Sequence, residues 1–158
     1  MEVTLLSSVD VRNFLQTANI AHELSRMPES ARTASRAAAV LGLPPHQVVK
    51  SVFFMADERA VMALVPGDAT VDYSKLKAEL GARSLRLLNA DEVRQLTGYL
   101  IGCTPPVALK SEIPAYIDLR ALREDVVYTG GGEPGMILKI RSYDLVRAAD
   151  AEVVDIIR

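Results

Sequence analysis

Two apolar runs, SVFFMA (51–56) and AVMALVP (60–66), stand three residues apart, divided only by Asp57, Glu58 and Arg59. A gap that short joins antiparallel neighbours, because parallel strands need a crossover of a dozen residues or more. Neither run alternates apolar with polar residues, so both faces of the hairpin need cover. The rest of the chain has to supply that cover.

Helix and strand signals alternate along it. Residues 8–19 (SVDVRNFLQTAN) put Val11, Phe14, Leu15 and Ala18 on one helical stripe. Thr33 is placed to cap a second helix, TASRAAAVLG, which ends at Gly42, and Pro44 and Pro45 then break the chain before the connector HQVVK. After the hairpin, Asp72 caps a helix running through Tyr73, Leu76 and Leu80 to Gly81, and SLRLL (84–88) reads as a strand. Asn89 and Glu92 have capping-box spacing for the helix DEVRQL. Strands are expected at PAYID (114–118), DVVYT (125–129), MILKI (136–140) and EVVDI (152–156), with a glycine turn at 130–132 and a helix capped by Ser142. The pattern predicts an α/β fold with a mixed sheet and helices around it, in one domain over 1–158.

One segment fits neither period. Residues 97–114 (TGYLIGCTPPVALKSEIP) mix glycine, proline and apolar residues without a repeat, and a loop of this length inside a compact domain is often functional.

Composition narrows the chemistry. A single cysteine, Cys103, leaves no internal disulfide, and the two histidines, His22 and His46, lack metal-binding spacing, so no metal is expected. The start MEVTLLSSVDVRNF does not read as a signal peptide, and no stretch reaches the roughly 18–20 apolar residues of a membrane span, so a cytoplasmic protein is expected. A net charge of −2 argues against nonspecific coating of nucleic acid, leaving a local basic patch and a specific end or pocket as the way to bind RNA.

The candidate reactive residues differ in what they support. The run GGGEPGMILKI lacks the Lys-Ser/Thr of a phosphate loop and continues into a strand, which favours a tight turn. Cys103 is open to two readings, a nucleophile or a small apolar side chain. His46 reads as a connector residue, and Arg83, Arg86, Lys139 and Arg141 are cations that either touch phosphate or solvate a face. Lys50 ends a polar connector just before a buried strand, which sets its ammonium at the strand's end, where α/β folds commonly keep their sites. The alternative for Lys50 is a surface salt bridge.

Four stretches together, ARTASRAAAVLG, QVVKSVFF, LVPGDATVDYSKLKAELG and TGYLIGCTPPVAL, supported by VVYTGGGEPGMILKI, resemble the YbaK/prolyl-tRNA-synthetase-associated domain family, which includes free-standing trans-editing deacylases. The similarity spans about residues 30–156. It implies a mostly antiparallel, barrel-like sheet surrounded by helices. It also implies hydrolysis of mischarged aminoacyl-tRNA, with the tRNA acceptor end and prolyl-tRNA synthetase as partners and no cofactor. The family's essential lysine matches Lys50. Its loop, TGYxxGGxxPxG, matches at Thr97, Gly98, Tyr99, Gly102 and Pro106, and departs at Cys103 and Ala108, where glycine is usual. Gly131 and Gly132 match its late glycine turn. Catalysis is thus expected of Lys50, by the resemblance, and of the backbone at Gly102 and Cys103, where glycine lets a backbone come close; substrate contacts are expected at the matching Thr97, Gly98, Tyr99, Pro106, Gly131 and Gly132 and at the neighbouring Thr104. Leu24 and Ile137 stand where the cysteine-specific branch carries a tyrosine and an aspartate, which turns the expectation away from cysteine.

The expected chemistry follows. Water attacks the aminoacyl ester, backbone amides near Gly102 and Cys103 meet the developing oxyanion, and Lys50 steadies that charge or holds the terminal phosphate. By resemblance, the neighbouring ribose hydroxyl helps activate the water. Cys103 in place of glycine narrows the pocket toward small residues such as alanine on tRNA(Pro). A noncatalytic module binding tRNA ends or a synthetase, and a cysteine hydrolase of another ester, are the competing readings.

Overall fold

The computed structural model describes residues 5–28 and 34–158. In chain order these form α1 (Ser8–Thr17), β1 (His22–Arg26), α2 (Ala34–Leu41), a 3-10 turn at Pro45–Gln47, β2 (Val49–Ala56), β3 (Arg59–Pro66), α3 (Tyr73–Leu80), β4 (Leu85–Leu87) and α4 (Ala90–Thr97). After a long irregular loop come β5 (Ala115–Asp118), a 3-10 turn at Leu119–Leu122, β6 (Val126–Gly130), β7 (Met136–Arg141), α5 (Ser142–Ala149) and β8 (Glu152–Val154). The architecture is mixed α/β, as the alternating signals require.

The strands make two sheets, β1-β7-β6 and β4-β2-β3-β5-β8. Within them β3–β5 and β5–β8 are parallel, and the remaining pairs are antiparallel. Neither sheet closes on itself, so the expected barrel holds only loosely.

The β2–β3 hairpin forms as the two runs demand, with Phe53 opposite Met62 and Phe54 opposite Val61. Its faces bury into separate cores. Val49, Phe53, Met62 and Leu64 join a core with Val11 and Leu15 of α1, Val127 of β6 and Leu138 and Ile140 of β7. Phe54, Val61, Ala63 and Val65 face the other way, onto Leu76 of α3 and Val154, Ile156 and Ile157 near the C-terminus. Cover on both faces is why neither strand alternates. Each fully buried large side chain contributes roughly 1.5–3 kcal/mol.

Capping follows the sequence closely. Asp72 accepts from the Lys75 amide, Gly81 ends α3 in the left-handed region, and Asn89 with Glu92 closes the capping box of α4. Gly42 ends α2 at φ +68°. Thr33, the expected cap of α2, lies outside the described residues.

Four expectations need correction. Only Val11 and Leu15 of the α1 stripe are buried; Phe14 and Ala18 are exposed, because the helix rests on its i, i+4 edge alone. The strand β1 was not anticipated, since HELSR is an edge strand carrying one apolar residue, Leu24, and shows no apolar alternation. Ser142 is the first residue of α5 rather than its cap; Arg141 holds that position without a side-chain bond. Lys50 lies within β2, opposite Val65, not in the connector before it. Among the described residues no helix is long and apolar enough to cross a membrane.

A buried carboxylate fastens the C-terminal strand. Asp118 is fully buried at the end of β5, accepting from Arg120 Nε at 2.8 Å, Arg120 Nη2 at 3.0 Å and the amides of Arg120 and Ile156 at 2.9 and 2.8 Å. Arg120 also bonds Asp155, which pairs with Lys75 at 3.1 Å. Burial pushes the Asp118 carboxyl up, but the Arg120 guanidinium and the two amides outweigh it and hold it below its ordinary 3.8. A lowered folded value stabilises above the unfolded pKa and is lost as pH falls through the folded one. Breaking a buried pair costs about 3 kcal/mol, so Asp118→Asn should lower the melting temperature by roughly 6–12 °C at neutral pH, with the gap closing below about pH 4. Thermal melts of both proteins from pH 2 to 7 check this.

Candidate active site

The two sheets touch and then part. Val48 bridges to Tyr128 just before β2 begins, and β4 meets the same edge of β2 only from Phe54 onward. Between these points residues 50–52 pair with β3 on one side alone, the Phe53 carbonyl already accepting from the Leu88 amide at 3.0 Å. A cleft of about 490 Å³ opens there. Its walls are Val48 and Val49–Ser51 of β2, Leu100–Thr104 of the long loop, Thr129 and Gly130 of β6, and Pro134–Ile137 from the turn into β7, with Met27 and Ala37 beside them.

Lys50 and the loop residues Gly102, Cys103 and Thr104 therefore share one cavity. Lys50 is half-buried, and its ammonium has no ion pair or hydrogen bond with any described residue. The salt-bridge alternative finds no partner among them. The Cys103 amide donates to Leu100 O at 3.3 Å, whereas the Gly102 amide has no acceptor among the described residues. Gly102 sits at φ +91° with open space where a Cβ would be. Of the two expected amide donors, Gly102 is the one left unspent.

The other expected contacts lie elsewhere. Thr97, Gly98 and Tyr99 form the loop's footing and do not line the cleft. Thr97 Oγ1 donates to Val93 O at 2.6 Å and accepts from the Tyr99 amide at 3.1 Å. The fully buried Tyr99 donates its hydroxyl to Ala108 O at 2.8 Å, and Gly98 O accepts from the Leu6 amide at 2.8 Å. Pro106 lines a different hollow, with Phe14 and Ile113. Gly131 and Gly132 lie behind the wall: a Cβ on Gly131 would stand 2.7 Å from the Met136 carbonyl carbon, and the Gly132 amide donates to Cys103 O at 3.0 Å. Gly130 does line the cleft, and its Cβ would stand 2.8 Å from Thr104 O. The glycine run is thus where one backbone lies against another.

The remaining candidates separate in the same way. Burial, then the nearby Glu133 carboxylate, pushes the Cys103 thiol up, and its Sγ bonds Leu100 O at 3.4 Å. His46 bonds Glu124 at 2.8 Å and His22 bonds Ile20 O at 2.9 Å, and neither lines the cleft. A protonated thiol without a histidine is a poor nucleophile. Arg83, Arg86, Lys139 and Arg141 are not in the cleft wall either. No cluster of metal-binding side chains occurs among the described residues. Ile137 lines the cleft and Leu24 does not. The cleft wall also holds Ser51 and Thr129, which the sequence pattern did not single out.

The family model of the aminoacyl-tRNA editing domain matches residues 28–148. The chain belongs to that family. Proline–tRNA ligases of Thermosipho africanus and Desulforamulus reducens are each 40% identical, over 103 and 97 residues, covering 65% and 61% of this chain. The chain spans only 18% and 17% of those ligases, so it compares with one of their segments. A crystal structure described as a candidate trans-editing enzyme for prolyl-tRNA synthetase superposes with TM-score 0.88 at 32% identity, covering 96% of both chains. A hypothetical protein of known structure gives TM-score 0.88 at 31% identity, covering 94% of this chain and 99% of that one. The matched fold spans both sheets and the cleft between them.

Ala108 explains one departure from the family's loop. It adopts φ +61°, the left-handed region, while its carbonyl holds the Tyr99 hydroxyl. Left-handed backbone costs a side-chain-bearing residue about 1–2 kcal/mol, and the added chain entropy of glycine offsets about half of that. Ala108→Gly should therefore stabilise by about 0.5–1 kcal/mol, read as a higher urea midpoint with an unchanged slope.

Proposed function

We propose that this chain is a trans-acting deacylase that hydrolyses the ester of mischarged aminoacyl-tRNA, with tRNA(Pro) carrying a small amino acid such as alanine as the substrate. The observation that carries this reading is the unpartnered Lys50 ammonium in one cavity with the unspent Gly102 amide. Membership of the editing family and the likeness to segments of proline–tRNA ligases support the choice of ester and of tRNA.

In this reaction the acceptor end enters the parting between β2 and β6, with the ester carbonyl toward Gly102. Attack of water moves charge onto the carbonyl oxygen. The Gly102 amide donates to it, and Lys50 either steadies the charge or grips the terminal phosphate as a point cation. Among the described residues no group in the cleft wall is an evident general base, so in this reading the adjacent ribose hydroxyl serves to orient or activate the water. The reaction needs neither metal nor cofactor. Prolyl-tRNA synthetase is the natural source of the mischarged substrate.

Selectivity in this scheme comes from size. Cys103 fills part of the wall where glycine would leave room, and one methylene in an apolar pocket discriminates by about 1–3 kcal/mol. The competing reading, binding without hydrolysis, draws on the Cys103 amide being engaged with Leu100 O, which leaves one fewer donor for an oxyanion.

Hydrolysis of a panel of mischarged tRNAs by the purified chain tests the reading. Lys50→Ala should lose about 10²–10³ in rate while melting like the wild type. A wild-type chain that binds the acceptor end but releases no amino acid favours the binding module instead. Cys103→Gly should reorder the panel in favour of larger residues, and an unchanged ranking of the alanyl, seryl, threonyl and cysteinyl esters refutes the size argument.

A further inference from the structure

A second hollow, of about 420 Å³, lies at the open end of the β2–β3 hairpin, where Pro66 stands opposite Val49. Three guanidiniums line it, those of Arg120, Arg123 and Arg158, together with His46. Among the described residues Asp68 is the one acidic side chain in its wall. Like charges gathered in one concavity repel, and an anion placed among them relieves that cost.

The three arginines are held differently. Arg120 donates through Nε and Nη2 to Asp118 and through Nη2 to Asp155. Those bonds fix the plane of the guanidinium and leave both N–H groups of Nη1 unspent. Asp118 and Asp155 offset its charge, so Arg120 offers a fixed donor direction more than net charge. The charge comes from Arg123 and Arg158, which are exposed and whose side chains bond no described residue. Their backbones are anchored, the Arg123 amide donating to Arg120 O at 3.4 Å and the Arg158 amide to Thr70 O at 3.1 Å. His46 is already bonded to Glu124, and Asp68 pairs with none of the arginines.

A directed guanidinium beside two free ones matches a phosphate, whose oxygens accept from more than one arginine at once. The hollow also shares a wall with the cleft. His46 lines the one and Val48 and Val49 line the other, and three residues of chain span at most about 11 Å. A chain of phosphates whose end sits in the cleft therefore passes within reach of the arginines. The net charge of −2 calls for such a patch, because a chain without a basic excess meets RNA through local cations. Two of the cations that stand out in the sequence are spent elsewhere, Arg86 on Glu92 and Lys139 on Glu23.

We infer that this hollow is a phosphate site that grips the tRNA backbone upstream of the end held in the cleft. The choice of tRNA as occupant rests on the deacylase reading, to which the hollow adds a second point of attachment away from the reacting ester. Arg123 and Arg158 neutralise the phosphate, and Arg120 orients it.

The test measures binding of uncharged tRNA(Pro), which needs no hydrolysis, from about 50 to 200 mM salt. The proteins are the wild type, Arg123→Gln with Arg158→Gln, and Asp68→Asn. The double variant should bind roughly tenfold more weakly and lose about one from the slope of log affinity against log salt. Asp68→Asn should bind about two- to threefold more tightly. These side chains are exposed and unbonded, so both variants should melt like the wild type; Arg120 is left in place because it holds Asp118. Inorganic phosphate is titrated in parallel to separate the two sources of the anion. Phosphate binding lost in the double variant, with tRNA affinity unchanged, makes this a free-anion site and overturns the inference. Wild-type tRNA affinity and salt slope in the double variant overturn it as well. Weakened tRNA binding by the double variant, beside a wild type that hydrolyses no mischarged tRNA, upholds the phosphate site and sinks the deacylase reading alone.

Discussion

Everything in this cleft depends on where β2 stops being held. From Phe53 onward its free edge is taken by β4 and the Leu88 amide that follows it, and at Val48 it is bridged to Tyr128; between them it is paired on the β3 side alone. An open strand edge presents unpaired backbone groups, and proteins usually cover or blunt it. Here the long loop and the β6–β7 turn stand across the gap without closing it. The result is a cavity whose floor is rigid core and whose rim is irregular backbone, with one cation projecting from a strand held on both faces by packing. The position of Lys50 is set by the register of the hairpin, and a one-residue slip would send it to the opposite face.

The rim is assembled by backbone contact more than by side chains. Gly130 lies against the carbonyls of Cys103 and Thr104, Gly132 donates to Cys103 O, and Glu133 in the same turn accepts from the Ser8 amide and hydroxyl at 3.1 and 2.7 Å. The loop is pinned from the turn on one side and from Thr97, Gly98 and Tyr99 on the other. Gly102 is left between these anchors, exposed and with its amide unspent. Preorganised donors act on a reacting oxygen only if they do not have to move to meet it, and anchoring both ends of a short span achieves that. The small net charge fits the proposed scheme, in which a local cation and not a basic face meets the nucleic-acid end.

How much of this could be read from the residues alone varied with the kind of signal. The β2–β3 hairpin, the Asp72 cap and the Asn89–Glu92 box were legible because each is local: the residues that make the structure are adjacent in sequence. The co-location of Lys50 with Gly102 and Cys103 was legible only through the joint occurrence of QVVKS and TGYLIGCTPP, since nothing in either stretch points at the other. What sequence could not supply was direction. Thr97, Tyr99, Gly131 and Gly132 travel with the site because they build its supports, and a motif does not say which of its members face the cavity. The strand β1 escaped notice because an edge strand with one inward apolar residue carries no period.

The division between wall and footing separates two kinds of fragility in this loop. Tyr99 and Thr97 hold their neighbours through buried hydrogen bonds, so changes there act first on folding and reach the cleft only through displacement of the loop. Lys50 has no partner among the described residues, so changes there leave the fold intact and act on whatever occupies the cavity. The departure at Ala108 belongs to the first class, since its strain sits beneath Tyr99. The departure at Cys103 lies in the cleft wall itself, where its carbonyl, not its thiol, is what the glycine turn holds. The two substitutions that set this chain apart from the family's loop pattern are therefore independent. One bears on how firmly the loop stands, and the other, in the proposed scheme, on what fits beneath it.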